Sequence, residues 1–346
     1  MREFLSVSVK MLRYFNISWM INNRKKELLL FLASIIFIVI FIGAILEVYL
    51  RIKYNNFHKD MQHRARCTIY SSDPRLIYEL RPGKCGTNPH GFYDHEYSYS
   101  KPDDAYRIVV IGDSIAYGLT VDSLNDSFPK LLEKKLNSRD KRVDVITLAV
   151  PGYSTSQELV LLQERALKYE PNIIIWSYAL NDPAHPVYHN ANGEAGWYYY
   201  RPMLRSVSFV KKMMFLLNER IKVRDCGKEY HRLLHCAYWD DVVSNIGKIG
   251  EVSEREGVPI IFMIHPVFER GGYGSYSLID LHDNLAKVAS DNNLKVYDLL
   301  EEYSKHDVND IKWHNKEWYD PWHPNARGHE IIADYLYNKL LEDFFD

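Results

Sequence analysis

Cysteine is scarce in this chain: four residues among 346. They fall after the first sixty residues in two local pairs, Cys67 with Cys85 and Cys226 with Cys236. Neither pair has the spacing of a zinc site, so no metal centre is expected. No sign of charge dominates either. The formal net charge is −2 with 25% charged residues, which gives no reason to expect a nucleic-acid partner. Internal repeats and low-complexity tracts are absent, which excludes a repeat array and leaves one large domain or two ordinary ones. Aromatic residues, in contrast, are plentiful at 14%, with 26 tyrosines. Such richness suits a protein that stacks on or clamps a ligand, and equally one with many buried tyrosines.

The longest stretch without charge lies near the N-terminus. Leu28 to Leu46 reads LLLFLASIIFIVIFIGAIL. At about 1.5 Å per helical residue it matches the thickness of a hydrocarbon layer. A buried core helix would keep a polar face, and this run has none. A cleaved signal peptide would have a shorter apolar region and a small-x-small site, and none follows Leu46. The expectation is one uncleaved transmembrane anchor over 28–50, preceded by a cytoplasmic segment, 1–27, that is either an interfacial helix or a tail. Arg24, Lys25 and Lys26 before the span, against Arg51 and Lys53 after it, favour a cytoplasmic N-terminus. The large domain is therefore expected outside the cytoplasm, in the periplasm or at the cell surface. There Cys67–Cys85 and Cys226–Cys236 would pair as disulfides; the alternative is four buried thiols in a cytoplasmic fold.

Residues 51–104 are polar and rich in turn signals, as in a stalk with an irregular lead-in. From there apolar strands and amphipathic helices alternate: YRIVVIG, VDVITLAV, NIIIWSYAL, VPIIFMIHP and LKVYDL are the strands. Ser154 with Gln157 three residues on opens one of the helices as a capping box, and the last helix is expected over 325–341. The pattern predicts an α/β fold, a three-layer α/β/α sandwich around a mostly parallel five-stranded sheet, over 105–346. An insertion at about 183–239, containing GWYYYRP, interrupts it. It reads either as a cap, with Trp197 and Tyr199 on a sugar ring, or as a structural insertion with inward aromatics. His185, His189 and His265 form no ligand pattern and read as ordinary loop or core histidines.

Ligands of parallel sheets bind beyond the carboxyl ends of the strands. The first strand ends in Gly112-Asp113-Ser114, the second in a turn with Gly152, the third at Asn181, and the final helix is preceded by DPWHPNARGHE with Asp320 and His323. A serine becomes a nucleophile when a histidine takes its proton, and a carboxylate holds that histidine in the right tautomer. The N–H groups of Ser114 and Gly152 and the amide of Asn181 are suited to stabilise an oxyanion. Singly, each residue also has a plain structural reading: Asp113 and Ser114 as helix caps, Gly152 as a turn, Asn181 as a loop residue, Asp320 as a cap and His323 as a surface histidine.

Together the blocks GDS (112–114), PGYST (151–155), ND (181–182) and DPWHPNARGH (320–329) resemble the SGNH, or GDSL, hydrolases over about Tyr106 to Leu341. The resemblance implies a flavodoxin-like SGNH fold, Ser114 as nucleophile, His323 as base, Asp320 as its partner, and an oxyanion hole of Ser114, Gly152 and Asn181. No cofactor is implied. Ala179 stands where the family often has glycine, and IAYG follows the serine in place of the familiar leucine. NPHGFYD and EVYLRIK resemble a membrane-anchored branch associated with surface polysaccharides. The expectation is an esterase acting on O-acyl, O-acetyl above all, groups of a cell-surface glycan, with Asp113, Trp197 and Tyr199 as substrate contacts. The same groups would serve an O-acyltransferase fed by a polytopic membrane donor protein, and a lipid esterase is a third reading. A non-catalytic carbohydrate-binding module is the reading of a different class; loss of Ser114 or His323 would be its mark, and both are present.

Overall fold

A strand buried on both faces has no reason to alternate polar and apolar residues, and all five predicted segments form strands. In the computed structural model the described residues are 2–53, 67–138, 142–183, 206, 210, 214, 217, 229–314 and 319–345. A short antiparallel hairpin, β1 (Thr68–Tyr70) and β2 (Tyr78–Leu80), comes first. The sheet proper consists of β3 (Ala105–Gly112), β4 (Arg142–Ala149), β5 (Ile173–Ala179), β6 (Ile260–His265) and β7 (Lys295–Asp298), in the order β4-β3-β5-β6-β7. Every pairing is parallel. This is the doubly wound order in which β3 and β5 flank the switch point.

Successive residues of a strand point to opposite faces, and the core divides accordingly. Val109, Ile111, Ile146, Leu148, Ile174 and Trp176 pack with α4 (Thr155–Glu164), α5 (Tyr230–Glu256) and α6 (Ile279–Asp291). Their neighbours Ile108, Val110, Val145, Ile175 and Ile261 pack on the other face, with α3 (Phe128–Leu136) and α9 (Ala326–Leu340). Each such side chain, fully buried, stabilises the fold by roughly 1.5–3 kcal/mol. The short helices α2 (Ser114–Tyr117), α7 (Leu300–Ser304) and α8 (Val308–Ile311) lie between these elements in the chain. Asn325 caps α9 by accepting from the Gly328 N–H at 3.0 Å.

Two boundaries differ from expectation. Residues 67–104 are no stalk: Leu76, Tyr78, Leu80 and Phe92 are buried in the first core cluster. The Tyr78 hydroxyl donates to Pro151 O at 2.8 Å, and Gln157 Nε2 donates to Leu76 O at 2.6 Å. The segment therefore belongs to the sheet domain. The insertion also ends earlier than 239, because α5 already begins at Tyr230. Glu229 caps it by accepting from the Arg232 N–H at 2.8 Å.

The chain divides into two compact units, Met1–His58 with Pro202–Lys211, and Lys59–Arg201 with Lys212–Asp346. In the first, α1 (Arg2–Lys53) is one continuous helix through residues 27 and 28. Its portion Lys26–Ile52 is long and apolar enough to cross a membrane, and every residue from Leu28 to Ile42 is exposed. Ser34, the only hydroxyl of the apolar run, donates to Leu30 O at 2.8 Å, which satisfies it without water.

The most demanding polar residue in the core is Arg107, 1% exposed. Its guanidinium meets Asp144 at 3.3 Å and donates to the carbonyls of Tyr99 and Tyr169, both at 2.9 Å. Removing one partner of such a buried set strands the others. Arg107→Leu should lower stability by on the order of 3 kcal/mol, read as a fall in denaturant midpoint, whereas an equal substitution at exposed Lys134 should change it little.

Candidate active site

Sheet register alone brings three loops together. Gly112 at the end of β3 is in register with Ala149 on β4 and Ser177 on β5. Asp113-Ser114, Pro151-Gly152 and Leu180-Asn181 therefore emerge side by side. Gly112 is required by space, not by backbone twist. A Cβ there would lie 2.9 Å from the Cβ atoms of Ala116 and Ser177. Gly152, in contrast, has φ 82°, a left-handed conformation that glycine adopts without strain.

Ser114 is the first residue of α2, and Asp113 caps that helix by accepting from the Ile115 N–H at 2.9 Å. Ser114 Oγ lies 2.8 Å from His323 Nε2, across 209 residues of sequence. His323 Nδ1 lies 2.7 Å from Asp320 Oδ2. The other oxygen of Asp320 accepts the backbone N–H of Trp322 at 2.9 Å and of His323 at 3.1 Å. Burial alone would raise the Asp320 carboxyl; the hydrogen bond and charge of His323, with the two N–H donors, more than offset it and hold the group below its ordinary value. An ionised Asp320 requires the imidazole proton on Nδ1, which leaves Nε2 as the acceptor facing the serine. Hydroxyl, imidazole and carboxylate thus form one continuous line.

The placement of Asp113 differs from expectation. It is 1% exposed and engaged inside the site, with Oδ2 lying 3.0 Å from Ser114 Oγ and accepting from Asn181 Nδ2 at 3.3 Å. No lone carboxyl face is left for a substrate, so Asp113 is a brace and not a substrate contact. Trp197, Tyr199, His185 and His189 lie outside the described residues. His265 is a core histidine: its Nε2 pairs with Ser177 Oγ at 2.8 Å, and burial lowers its pKa to about 3. Cys67 and Cys85 form a disulfide. Cys236 is also disulfide-bonded, and its expected partner Cys226 lies outside the described residues.

Two carboxyls behind the site carry no local sequence signal. Glu158 on α4 accepts from the Trp176 indole at 2.6 Å, and Asp182 accepts from the Ala179 N–H at 2.7 Å, which closes the turn bearing Asn181. Each has a second oxygen with no partner among the described residues. Burial raises the Asp182 carboxyl well above its ordinary value, and the charges of Glu158 and Asp113 push it further. Burial raises Glu158 likewise, against the pull of the Trp176 N–H. Beside them is a cavity of about 120 Å³ lined by Ser154, Thr155, Ser156, Asp182, Asp241 and Asn245, among others. Its lining mixes hydroxyl, carboxyl and amide groups with the apolar Pro183 and Val242.

Residues 110–331 match the model of the GDSL-like Lipase/Acylhydrolase family. No curated protein matches the chain. Among solved structures, it is similar to an acetyl xylan esterase at 13% identity, covering 68% of this chain and 99% of that one, with a TM-score of 0.44. It is also similar to a variant of an acetyl-xylooligosaccharide esterase from Geobacillus (15% identity, 68% and 94% covered, TM-score 0.45). A psychrotrophic esterase from Pseudoalteromonas sp. shows 19% identity, with 70% and 100% covered and a TM-score of 0.41.

Burial raises Glu158 above its ordinary value of 4.5, so between that value and the raised one the folded chain binds more of its proton than the unfolded chain does. The contribution of Glu158 to stability therefore falls as pH rises through that window. Glu158→Gln keeps the acceptor for Trp176 and removes the titration. Denaturant unfolding at about pH 5 and about pH 8 should show a smaller difference for the variant, with a gain at the higher pH on the order of 1 kcal/mol.

Proposed function

The chain belongs to the GDSL-like lipase/acylhydrolase family and is a serine hydrolase, and we propose that it is a membrane-anchored esterase removing O-acyl groups, O-acetyl above all, from a cell-surface glycan. The observation that carries this reading is the line from Ser114 through His323 to Asp320, with spacings of 2.8 and 2.7 Å.

In this reading Ser114 Oγ attacks the ester carbonyl carbon while His323 Nε2 takes its proton. The charge that develops on the carbonyl oxygen is met by the N–H groups of Ser114 and Gly152 and by the Asn181 amide. Collapse of the tetrahedral species breaks the bond to the sugar oxygen, which takes the proton from His323, and the acyl group stays on Ser114. Water then attacks the acyl-serine with His323 again as base, releasing the acid and restoring the serine. Asp320 remains ionised throughout and stabilises the imidazolium. The hydroxyls of Ser154, Thr155 and Ser156 and the Asn245 amide, in the cavity that Asp182 also lines, offer partners for a substrate rich in hydroxyls. Anchorage is supported by Lys26–Ile52, and an extracytoplasmic placement by the disulfides and by Arg24, Lys25 and Lys26.

Hydrolysis of p-nitrophenyl acetate and of an acetylated oligosaccharide should fall by about 1000-fold or more in Ser114→Ala and His323→Ala, and by about 100- to 1000-fold in Asn181→Ala. Wild-type rates in Ser114→Ala would refute the reading. Faster turnover of long-chain esters than of acetyl esters would redirect it to lipid, and transfer of acetyl to an added glycan in preference to water would make the enzyme a transferase.

A further inference from the structure

Trp322 sits between the two residues of the proposed His–Asp pair, and its indole is tied to a second pair of the same kind. Its Nε1–H donates to His231 Nε2 at 2.9 Å. His231 Nδ1 lies 2.7 Å from Glu229 Oε1. His231 is 4% exposed, at the first turn of α5. The rings of Trp322 and His231 meet edge to face at 6.2 Å, and those of Trp322 and His323 at 6.4 Å.

The indole settles the protonation. It can only donate, so His231 Nε2 must be an acceptor, and the ring proton is on Nδ1, directed at Glu229. His231 therefore has the tautomer that His323 has, with a carboxylate on Nδ1 and an accepting Nε2. One accepts from Ser114, the other from Trp322. The backbone N–H of Trp322 is bound to Asp320 Oδ1 at the same time. Trp322, one of the two residues between Asp320 and His323, is thus fixed at both ends, by the Asp320 carboxylate on its main chain and by His231 on its side chain. Glu229 in turn is fixed by the Arg232 N–H at 2.8 Å, and the His231 carbonyl accepts from His235 Nδ1 at 2.9 Å.

We propose that His231 is a positioning residue for catalysis: through Trp322 it sets the orientation in which Asp320 holds His323. It touches neither the nucleophile nor the base. The proposal rests on the assignment of Ser114, His323 and Asp320 as the catalytic groups.

The test uses the full-length chain in detergent micelles, with p-nitrophenyl acetate hydrolysis and the rate of Ser114 labelling by a fluorophosphonate. His231→Leu and Trp322→Phe should each lower kcat roughly 10- to 100-fold with KM within about twofold, and slow labelling in step. The double variant should be no slower than the slower single one, because both cut the same link. His231→Gln, whose amide oxygen can take the indole N–H, should recover most of the rate. Should His231→Leu not fold, Trp322→Phe and His231→Gln carry the comparison. Wild-type kcat in His231→Leu or Trp322→Phe, a change confined to KM, or multiplying losses in the double variant would overturn the proposal. Ser114→Ala separates the two levels. If it keeps wild-type activity, the catalytic assignment fails and the proposal with it; if it is inactive while His231→Leu is fully active, only the positioning role fails.

Discussion

At Gly112 the backbone of β3 passes so close to β5 and α2 that a single added carbon would overlap both Ser177 and Ala116. That approach decides where the chain can go next. The strand must end there, and the following residue, Asp113, turns its carboxylate back to cap the helix that starts at Ser114. The parallel register then fixes the neighbouring strand ends at the same height, so Gly152 and Asn181 need only short loops to reach the serine. The fourth partner, His323, arrives from over two hundred residues away, yet its loop is locked in place by Asp320, which accepts two backbone N–H groups and one imidazole.

The site is held by buried polar groups more than by apolar ones, and they are treated in two ways. Where a charge is kept, as in Arg107 or Asp320, it has opposite charge or several donors around it. Where no counter-charge is at hand, as in Glu158 and Asp182, burial shifts the group toward its neutral form. The first arrangement gives the rigid frame of the strands and of the histidine loop.

Much of this is legible in the sequence, for identifiable reasons. Four of the five strands are buried along nearly their whole length and read as largely β-branched runs, with the edge strand β7 partly exposed, and the rule that ligands bind beyond the strand ends gathers Ser114, Gly152, Asn181, Asp320 and His323 at one edge. What stays hidden depends on contacts distant in sequence. The strands β1 and β2 have three residues each, too few for a periodic signal, so the lead-in reads as a stalk although Tyr78 and Leu76 brace the Gly152 turn and α4. The start of α5, YHRLLHCAYWDD, mixes buried histidines with exposed acids and lacks a clean apolar face. Asp113 falls in the expected loop but faces inward, because a cap and a substrate contact require the same residue type. Glu158 and His231 have no local mark at all; their roles come from partners 18 and 91 residues away.

The Cys67–Cys85 disulfide closes the stretch that contains the hairpin β1–β2, at the point where the chain coming from α1 enters the sheet domain. A hairpin with three paired positions is a weak place to attach a load, because antiparallel strands pulled from the same end unzip pair by pair. The covalent bridge changes the route of the force. Tension reaching Cys67 along the chain would pass directly to Cys85, and the hairpin between them would stay slack. A pull from the α1 side would thus be borne by a covalent bond and not by the hydrogen bonds that brace the Gly152 turn.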